Sequence, residues 1–504
     1  MGIIKQRQSY FSKLLFVLYG IFASLLECSL KLPILCGVSM LPLFTAIGEK
    51  SVKALIKKLA PFLSAYDITK TLFVIEIYKE LDLPRVISVF IGFVAAAALA
   101  FLLLASQVLC LSLYPEISSE KQYDIIKLSL LFCLSEWLCE KAGFFSFPWL
   151  GVWAQSDGAG ALMISASLLG CRFTSFIILL GNGMVYLILK STQCHKKISC
   201  IKISAAYLSL AFAVFICGSL EISLLKEQAD DSESTNVLIV QLDSEGDEKN
   251  QLSAGEAAKK YIELIDKNKQ SSTKYVFLPE TAVNSVFSSD SADFVDLIKC
   301  AKRNDVTIFT GCLFEEEGSR YNSIAAISSD SKGIRIYSKS HLVPFGEYIP
   351  LTNSGLCSSC YDTEVYHLGD LTLASGICVE SIYSESFRSQ VQSGANLIFI
   401  PTNDSWFGST YARYAHFLHS KIRAVENSRF VVRAGNCGIS AIISPWGEET
   451  VMCNSKDAAA VSGIVSLIES KSSYTVLGDI FILAPLLLAL ASVAKALRNH
   501  LHHK

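Results

Sequence analysis

Apolar positions follow two regimes along the 504 residues. Up to about residue 225, and again near the end, they run in long stretches. Between 235 and 466 they come in short clusters separated by polar segments. The long stretches are Leu14–Leu30, Leu32–Ile47, Phe62–Tyr78, Val86–Leu113, Ile125–Leu138, Phe173–Leu189, Ile203–Leu220 and Tyr474–Leu497. A bilayer core takes ~20 apolar residues in a helix. Read as spans, these stretches predict an α-helical bundle of about eight transmembrane helices. Leu32–Ile47 is short, and Asp67, Lys70 and Glu76 interrupt Phe62–Tyr78. No small-residue cleavage site follows the first stretch, so it reads as an uncleaved span.

The short clusters are Val237–Leu242, Tyr275–Leu278, Thr307–Cys312, Asn322–Ser328, Ile334–Tyr337, Leu373–Val379, Leu397–Pro401, Phe430–Arg433, Ile439–Ser444 and Ala460–Val465. Several are rich in Val and Ile and continuous rather than alternating, as in strands covered on both faces. They predict one layered α/β domain. The organisation that follows is a helical membrane domain at 1–226, an α/β domain at 227–470 and a last helix with a tail at 471–504. Asp230–Thr235 reads as a polar linker, and no internal repeat is visible.

Charge divides along the same lines. Residues 227–470 hold 32 acidic and 20 basic side chains, and the remainder holds 14 and 24. With the N-terminus inside, the basic loops at 50–58 and 190–202 and the C-terminal tail all fall on the cytoplasmic side. The aromatic loop Phe144–Leu150 and the acidic domain then fall outside, which predicts a multi-pass membrane protein with its α/β domain on the outer face. No basic stripe with interleaved aromatics suggests nucleic acid. Of the 16 cysteines, seven lie in the α/β domain, so at least one thiol there is free. Cys357-Ser-Ser-Cys360 has no second CxxC to complete a zinc site; a loop disulfide or two free thiols fit better.

Three residues carry the candidate chemistry. Glu280 ends Phe-Leu-Pro-Glu, Lys339 sits in Tyr-Ser-Lys-Ser-His, and Cys378 ends an apolar cluster. Each alone is ordinary: a strand-end acid, a solvated lysine, a buried inert thiol. Together they form a set. A thiol needs a base to become a nucleophile, a buried carboxylate can be that base, and an ammonium with a backbone N–H can hold an oxyanion.

In this order, with Lys339 59 residues after Glu280 and Cys378 39 further on, the three motifs resemble those of the nitrilase superfamily. With the spans, the chain resembles the membrane-embedded acyltransferase branch of that family. Phe147-Pro148-Trp149-Leu150, Leu278-Pro279-Glu280-Thr281-Ala282, His341-Leu342-Val343-Pro344-Phe345-Gly346-Glu347 and Asn403-Asp404-Ser405-Trp406-Phe407-Gly408 carry the likeness. The resemblance implies a nitrilase-like αββα sandwich and a thioacyl-enzyme on Cys378, with Glu280 as general base and Lys339 and the Val379 N–H holding the oxyanion. It implies a phospholipid as acyl donor and the N-terminal amine of a diacylated apolipoprotein as acceptor, with no metal and no cofactor.

The resemblance makes Glu347 the second glutamate, which orients the lysine or substrate; the plain alternative is a loop carboxylate. Glu380 matches another family position, or is a buried structural acid. Asn403, Asp404, Trp406 and Phe345 either line the substrate pocket or form a strand-end turn and loop. His416, His419 and Arg423 share a helix face, where packing or surface pairing fits better than metal binding. Leu342–Leu368 is long enough for a lid. Two positions depart from the family: Val379 stands where a Tyr is common, and no Trp lies in 243–253. Two other functions fit parts of the pattern. One is a membrane-anchored amidase with water as acceptor, and the other is a transporter, which would account for Lys127 and Arg172 in the spans.

Overall fold

The computed structural model describes residues 2–28, 32–77, 84–117, 123–142, 146–194, 197–242, 252–329, 333–343, 347–348, 357–359, 365–407, 410–453 and 458–502. Phe144, Phe145, Phe345 and Cys360 lie outside them, as does most of the segment proposed as a lid. The chain forms two compact units. One comprises Met1–Glu221, Gly408–Ala415 and Leu477–Lys504, and the other Ile222–Phe407 and His416–Val476.

The first unit is helical. Among the described residues five helices are long and apolar enough to cross a membrane: Tyr10–Glu27, Arg85–Leu111, Cys171–Gln193, Ile198–Asp231 and Ser473–Leu501. The expectation of about eight is therefore not met by length and composition. Leu32–Ile47 holds a 3-10 turn, Pro33–Gly37, and a short helix, Leu41–Phe44, each with a proline at its first or second position. Asp124–Glu140 has 17 residues. The helix Val52–Thr71 carries Asp67 and Lys70 among apolar neighbours. Lys70 Nζ lies 3.0 Å from Glu27 Oε2, and Gln107 Nε2 donates to Asp67 Oδ1 at 3.0 Å. Arg172 is likewise matched, by Glu140 and by Asp479 at 3.2 Å. Buried charges in such a unit are held by partners, so the charges that weaken the sequence pattern are interior pairs.

The second unit contains two six-stranded sheets. The first has the order β12-β1-β2-β3-β4-β5 and the second β11-β10-β9-β8-β7-β6. The strands of the first are β1 Ser234–Gln241, β2 Thr273–Phe277, β3 Thr307–Glu316, β4 Ser319–Ile327, β5 Ile334–Ser338 and β12 Ala459–Ser466. Those of the second are β6 Tyr366–Leu368, β7 Leu371–Ser375, β8 Leu397–Asn403, β9 Phe430–Asn436, β10 Ser440–Ile443 and β11 Glu449–Cys453. Both sheets are built alike. Three central strands run parallel (β1-β2-β3, β7-β8-β9), one antiparallel strand flanks the first of them, and two more follow the third. The duplication lies in the topology, where no sequence repeat announces it.

Alternate side chains explain the continuous apolar clusters. Val237 and Ile239 of β1 pack between the sheets with Phe277, Phe309, Phe399 and Val432. Leu238 and Val240 face the other way, onto Tyr261 and Ile265 of the helix Ala254–Asn268 and Phe294 and Leu297 of the helix Ala292–Asn304. The Phe277 ring centroid lies 5.0 Å from that of Phe309 and 4.8 Å from that of Phe399, so aromatic contacts cross the sandwich. One expected boundary moves: β7 ends at Ser375, and Cys378 opens a 3-10 turn, Cys378–Ile382.

Phe309 is fully buried at this junction. Truncating it to Ala is expected to destabilise the unit by ~3–5 kcal/mol, read as a lower unfolding midpoint of the detergent-solubilised chain; an unchanged midpoint would contradict the assigned core.

Candidate active site

The site is built at strand ends. β2 finishes at Phe277, and Leu278 N donates to Phe309 O at 2.8 Å, which carries the strand line to Pro279 and Glu280. Thr281 then turns with φ +45°. Gly311 of β3 makes room for this turn, because a Cβ there would come within 2.4 Å of Thr281 N and 2.7 Å of Glu280 Cα. Lys339 follows β5 directly, its N–H donating to Asn322 O at 2.8 Å.

Lys339 is 1 % exposed and reaches two carboxylates. Nζ donates to Glu280 Oε1 at 3.0 Å and to Glu347 Oε1 at 2.9 Å. Asn322 Nδ2 bridges the same two oxygens, at 2.8 and 3.0 Å. Glu280 Oε2 accepts from Asn403 N at 2.8 Å, and Glu347 Oε2 from Val343 N at 2.8 Å. Asn436 Nδ2 donates to the Glu280 carbonyl at 2.7 Å. Burial works against the ammonium, but the Glu280 and Glu347 carboxylates, with the Cys378 sulfur, hold it well above the usual lysine range.

Cys378 has φ +55°, in the left-handed region that a non-glycine residue seldom occupies. Withdrawal from water and the Glu280 charge push its thiol up to about 12, while Lys339 pulls it down. The Thr402 hydroxyl also reaches the thiol. Glu380 N donates to Ile377 O at 3.1 Å as the first bond of the turn. The N–H groups of Cys378 and Val379 precede that bond and have no acceptor within the turn.

Glu380 is fully buried and surrounded by donors. Oε2 accepts from Ile377 N at 2.7 Å and Tyr337 OH at 2.9 Å. Oε1 accepts from Ser340 N at 2.8 Å, Ser340 Oγ at 2.6 Å and His341 N at 3.1 Å. Burial would raise this carboxyl, but the donors from His341, Ile377 and Ser340 hold it below its ordinary range. It ties the segment around Lys339 to the turn that presents Cys378.

Asn403 meets the site through its backbone N–H, while its side chain stays in its own turn, accepting from Ser405 Oγ at 2.7 Å. Trp406 is 41 % exposed. Asp404 is buried and paired with Arg433 Nη2 at 2.8 Å and His416 Nδ1 at 2.8 Å. Of the helix-face trio, His416 adjoins the turn that opens at Cys378. His419 and Arg423 are buried as well, and Arg423 lies 3.2 Å from Glu426, so all three pack inside and none pairs at the surface. Among the described residues no group of three or more His, Cys, Asp or Glu is arranged to hold a metal, and Cys357 is a free thiol. Sequence reasoning missed Asn322, Thr402, Arg433 and Asn436. The signal available for Asn322 was a polar side chain opening the apolar cluster Asn322–Ser328.

Residues 237–463 match the carbon-nitrogen hydrolase family. The sandwich is thus a nitrilase-like α/β domain, joined to a helical N-terminal region. The chain is similar to curated proteins named apolipoprotein N-acyltransferase. That of Gloeobacter violaceus is 32% identical over 252 residues, 47% of each chain. That of Methylococcus capsulatus is 25% identical over 365 residues, 69% of each. That of Geobacter metallireducens is 33% identical over 250 residues, 45% of this chain and 46% of the relative. The chain thus spans about half the length of the first and third relatives. Among solved structures it is similar to Saccharomyces cerevisiae Nit3, with 19% identity and a TM-score of 0.38 over 47% of this chain and 92% of that one.

The raised thiol sets a pH dependence. Cys378 stays protonated until pH nears 12, where an ordinary thiol ionises near 9.0. Iodoacetamide should therefore alkylate Cys378 on the order of a thousandfold more slowly at pH 8 than a thiol of ordinary acidity. Lys339→Met removes the cation that lowers this thiol and should slow alkylation further. Faster alkylation in that variant would contradict the electrostatics described.

Proposed function

We propose that the chain transfers an acyl group from a phospholipid to the N-terminal amine of the diacylglyceryl-cysteine of an apolipoprotein. The observation that carries this reading is the buried Glu280–Lys339–Glu347 cluster acting on the Cys378 thiol, within a carbon-nitrogen hydrolase domain whose relatives bear the name of that activity.

Glu280 takes the thiol proton, and the thiolate attacks the ester carbonyl of the phospholipid. The carbonyl oxygen becomes an oxyanion held by the Lys339 ammonium and the Val379 N–H. On collapse the C–O bond breaks, the lysophospholipid alkoxide takes the proton from Glu280, and a thioester remains on Cys378. The acceptor amine then attacks the thioester and gives a proton to Glu280. The C–S bond breaks, the amide leaves, and Glu280 returns the proton to sulfur. Glu347 holds Lys339 in place through both steps. Neither half-reaction requires an external oxidant or reductant. The apolar helices and the acidic character of the α/β domain support a bacterial inner-membrane location with catalysis on the periplasmic face.

Incubating the purified protein with acyl-labelled phospholipid should leave a hydroxylamine-sensitive label, absent in Cys378→Ala. A diacylated lipopeptide should then remove the label as an N-acyl product. No label on the wild type would refute the reading, and release as free fatty acid would make water the acceptor. Glu280→Gln and Lys339→Met should each slow labelling by about a hundredfold or more.

A further inference from the structure

A second set of buried polar groups lies against the nucleophile turn and takes no part in these proton transfers. Asp404 follows β8, His416 lies in the helix Thr410–Asn427, and Arg433 lies in β9. All three are fully buried or nearly so. Arg433 is fixed from three sides: Nη1 donates to Ser420 Oγ at 2.8 Å, Nε to Ile439 O at 3.2 Å, and Nη2 to Asp404 Oδ2 at 2.8 Å. Asp404 Oδ1 accepts from Thr402 Oγ1 at 2.8 Å and faces His416 Nδ1 at 2.8 Å. Gly438 allows this close packing, since a Cβ there would lie 2.5 Å from Asp404 Oδ2. Burial would raise the Asp404 carboxyl, but Arg433 and His416 hold it well below the ordinary range.

The other side of the ring meets the nucleophile. His416 Nε2 is 3.1 Å from the Cys378 carbonyl oxygen and 3.1 Å from Ser381 Oγ. Arg433 Nη2 also lies 3.1 Å from Nδ1; of its two protons one goes to Asp404 Oδ2. An acceptor thus faces each ring nitrogen, Asp404 at Nδ1 and the Cys378 carbonyl at Nε2. A carbonyl oxygen only accepts, so in that contact Nε2 carries the proton.

That carbonyl belongs to the peptide that supplies the Val379 N–H. In a planar trans peptide the C=O and N–H point in opposite directions, so fixing one aims the other. The constraint matters here because Cys378 sits at φ +55°, a sparsely populated conformation that persists only where the surroundings hold it.

We propose that His416 is a positioning residue for acyl transfer: held by Asp404 and Arg433, it donates from Nε2 to the Cys378 carbonyl and so aims the Val379 N–H at the oxyanion. The proposal rests on the oxyanion role given to Val379 above.

The two amide side chains separate the ring's two nitrogens. Gln can place an N–H near the Nε2 position, and Asn only near Nδ1. Single-turnover acylation by a p-nitrophenyl fatty-acid ester, followed by p-nitrophenolate release, reads the oxyanion donor without needing phospholipid. Alkylation of Cys378 by iodoacetamide forms no oxyanion and reads the thiol alone. His416→Asn should slow acylation by about a hundredfold and leave alkylation and the melting temperature unchanged, while His416→Gln should recover most of the loss. Unchanged acylation in His416→Asn, equal rates in the two variants, or acylation and alkylation falling together would overturn the proposal, as would a wild type that releases no p-nitrophenolate. A wild type that reacts with the activated ester but not with phospholipid would instead refute the lipid-donor reading and leave this one standing.

Discussion

The ammonium of Lys339 between the carboxylates of Glu280 and Glu347 is the constraint on which the rest of the site depends. Removing such ions from water costs several kcal/mol each, and the cost is recovered only when every lone pair and proton is met. Here each carboxylate oxygen has a donor: Asn322 bridges both carboxylates, and the backbone N–H groups of Asn403 and Val343 reach their second oxygens. Loss of Lys339 would leave two acids facing each other in a buried space, and loss of either acid would leave the lysine half-paired. The cluster therefore stands or falls as a unit, and the thiol beside it stays protonated because burial, and after it the Glu280 charge, oppose its ionisation.

No single sheet could make this arrangement. Glu280, Asn322 and Lys339 come from the sheet holding β2, β4 and β5, whereas Cys378, Asn403 and Asn436 come from the sheet holding β7, β8 and β9. Their distances are set by how closely the two sheets pack, and that is decided by Phe277, Phe309 and Phe399 between them. The shared topology of the two sheets places Glu280, Lys339, Cys378, Asn403 and Asn436 at or just past strand ends, with Asn322 inside β4. Glu380 then fastens them together, accepting from Ile377 on the nucleophile side and from Ser340 and His341 on the lysine side. A carboxylate that never meets a reacting atom can thus be as necessary as one that does.

Much of this was legible before any coordinates. The strand clusters were readable because both faces of each central strand are covered, so apolar residues run without interruption. Glu280, Lys339 and Cys378 were readable as a set from their order, and the fold brings the three groups together. The partners were not. Asn322 looks like the polar edge of a strand until its amide is seen across two carboxylates. His416 looks like packing on a helix until Asp404, twelve residues earlier, and Arg433, seventeen later, are found on it. The count of about eight spans is not confirmed by length and composition, for a related reason: Asp67 and Lys70 lower the hydropathy of their helix yet face partners inside the unit. Pattern reading registers that a polar group is present, but not that it is satisfied.

If Lys339 and Glu280 act as one unit, their losses should not multiply. The most direct measurement is single-turnover thioacyl formation on Cys378 in Glu280→Gln, Lys339→Met and the double variant, with intact-protein mass as readout. The double variant should be no slower than the slower single variant. A double variant slowed by the product of the two single losses would mean that lysine and glutamate act independently, contradicting the account.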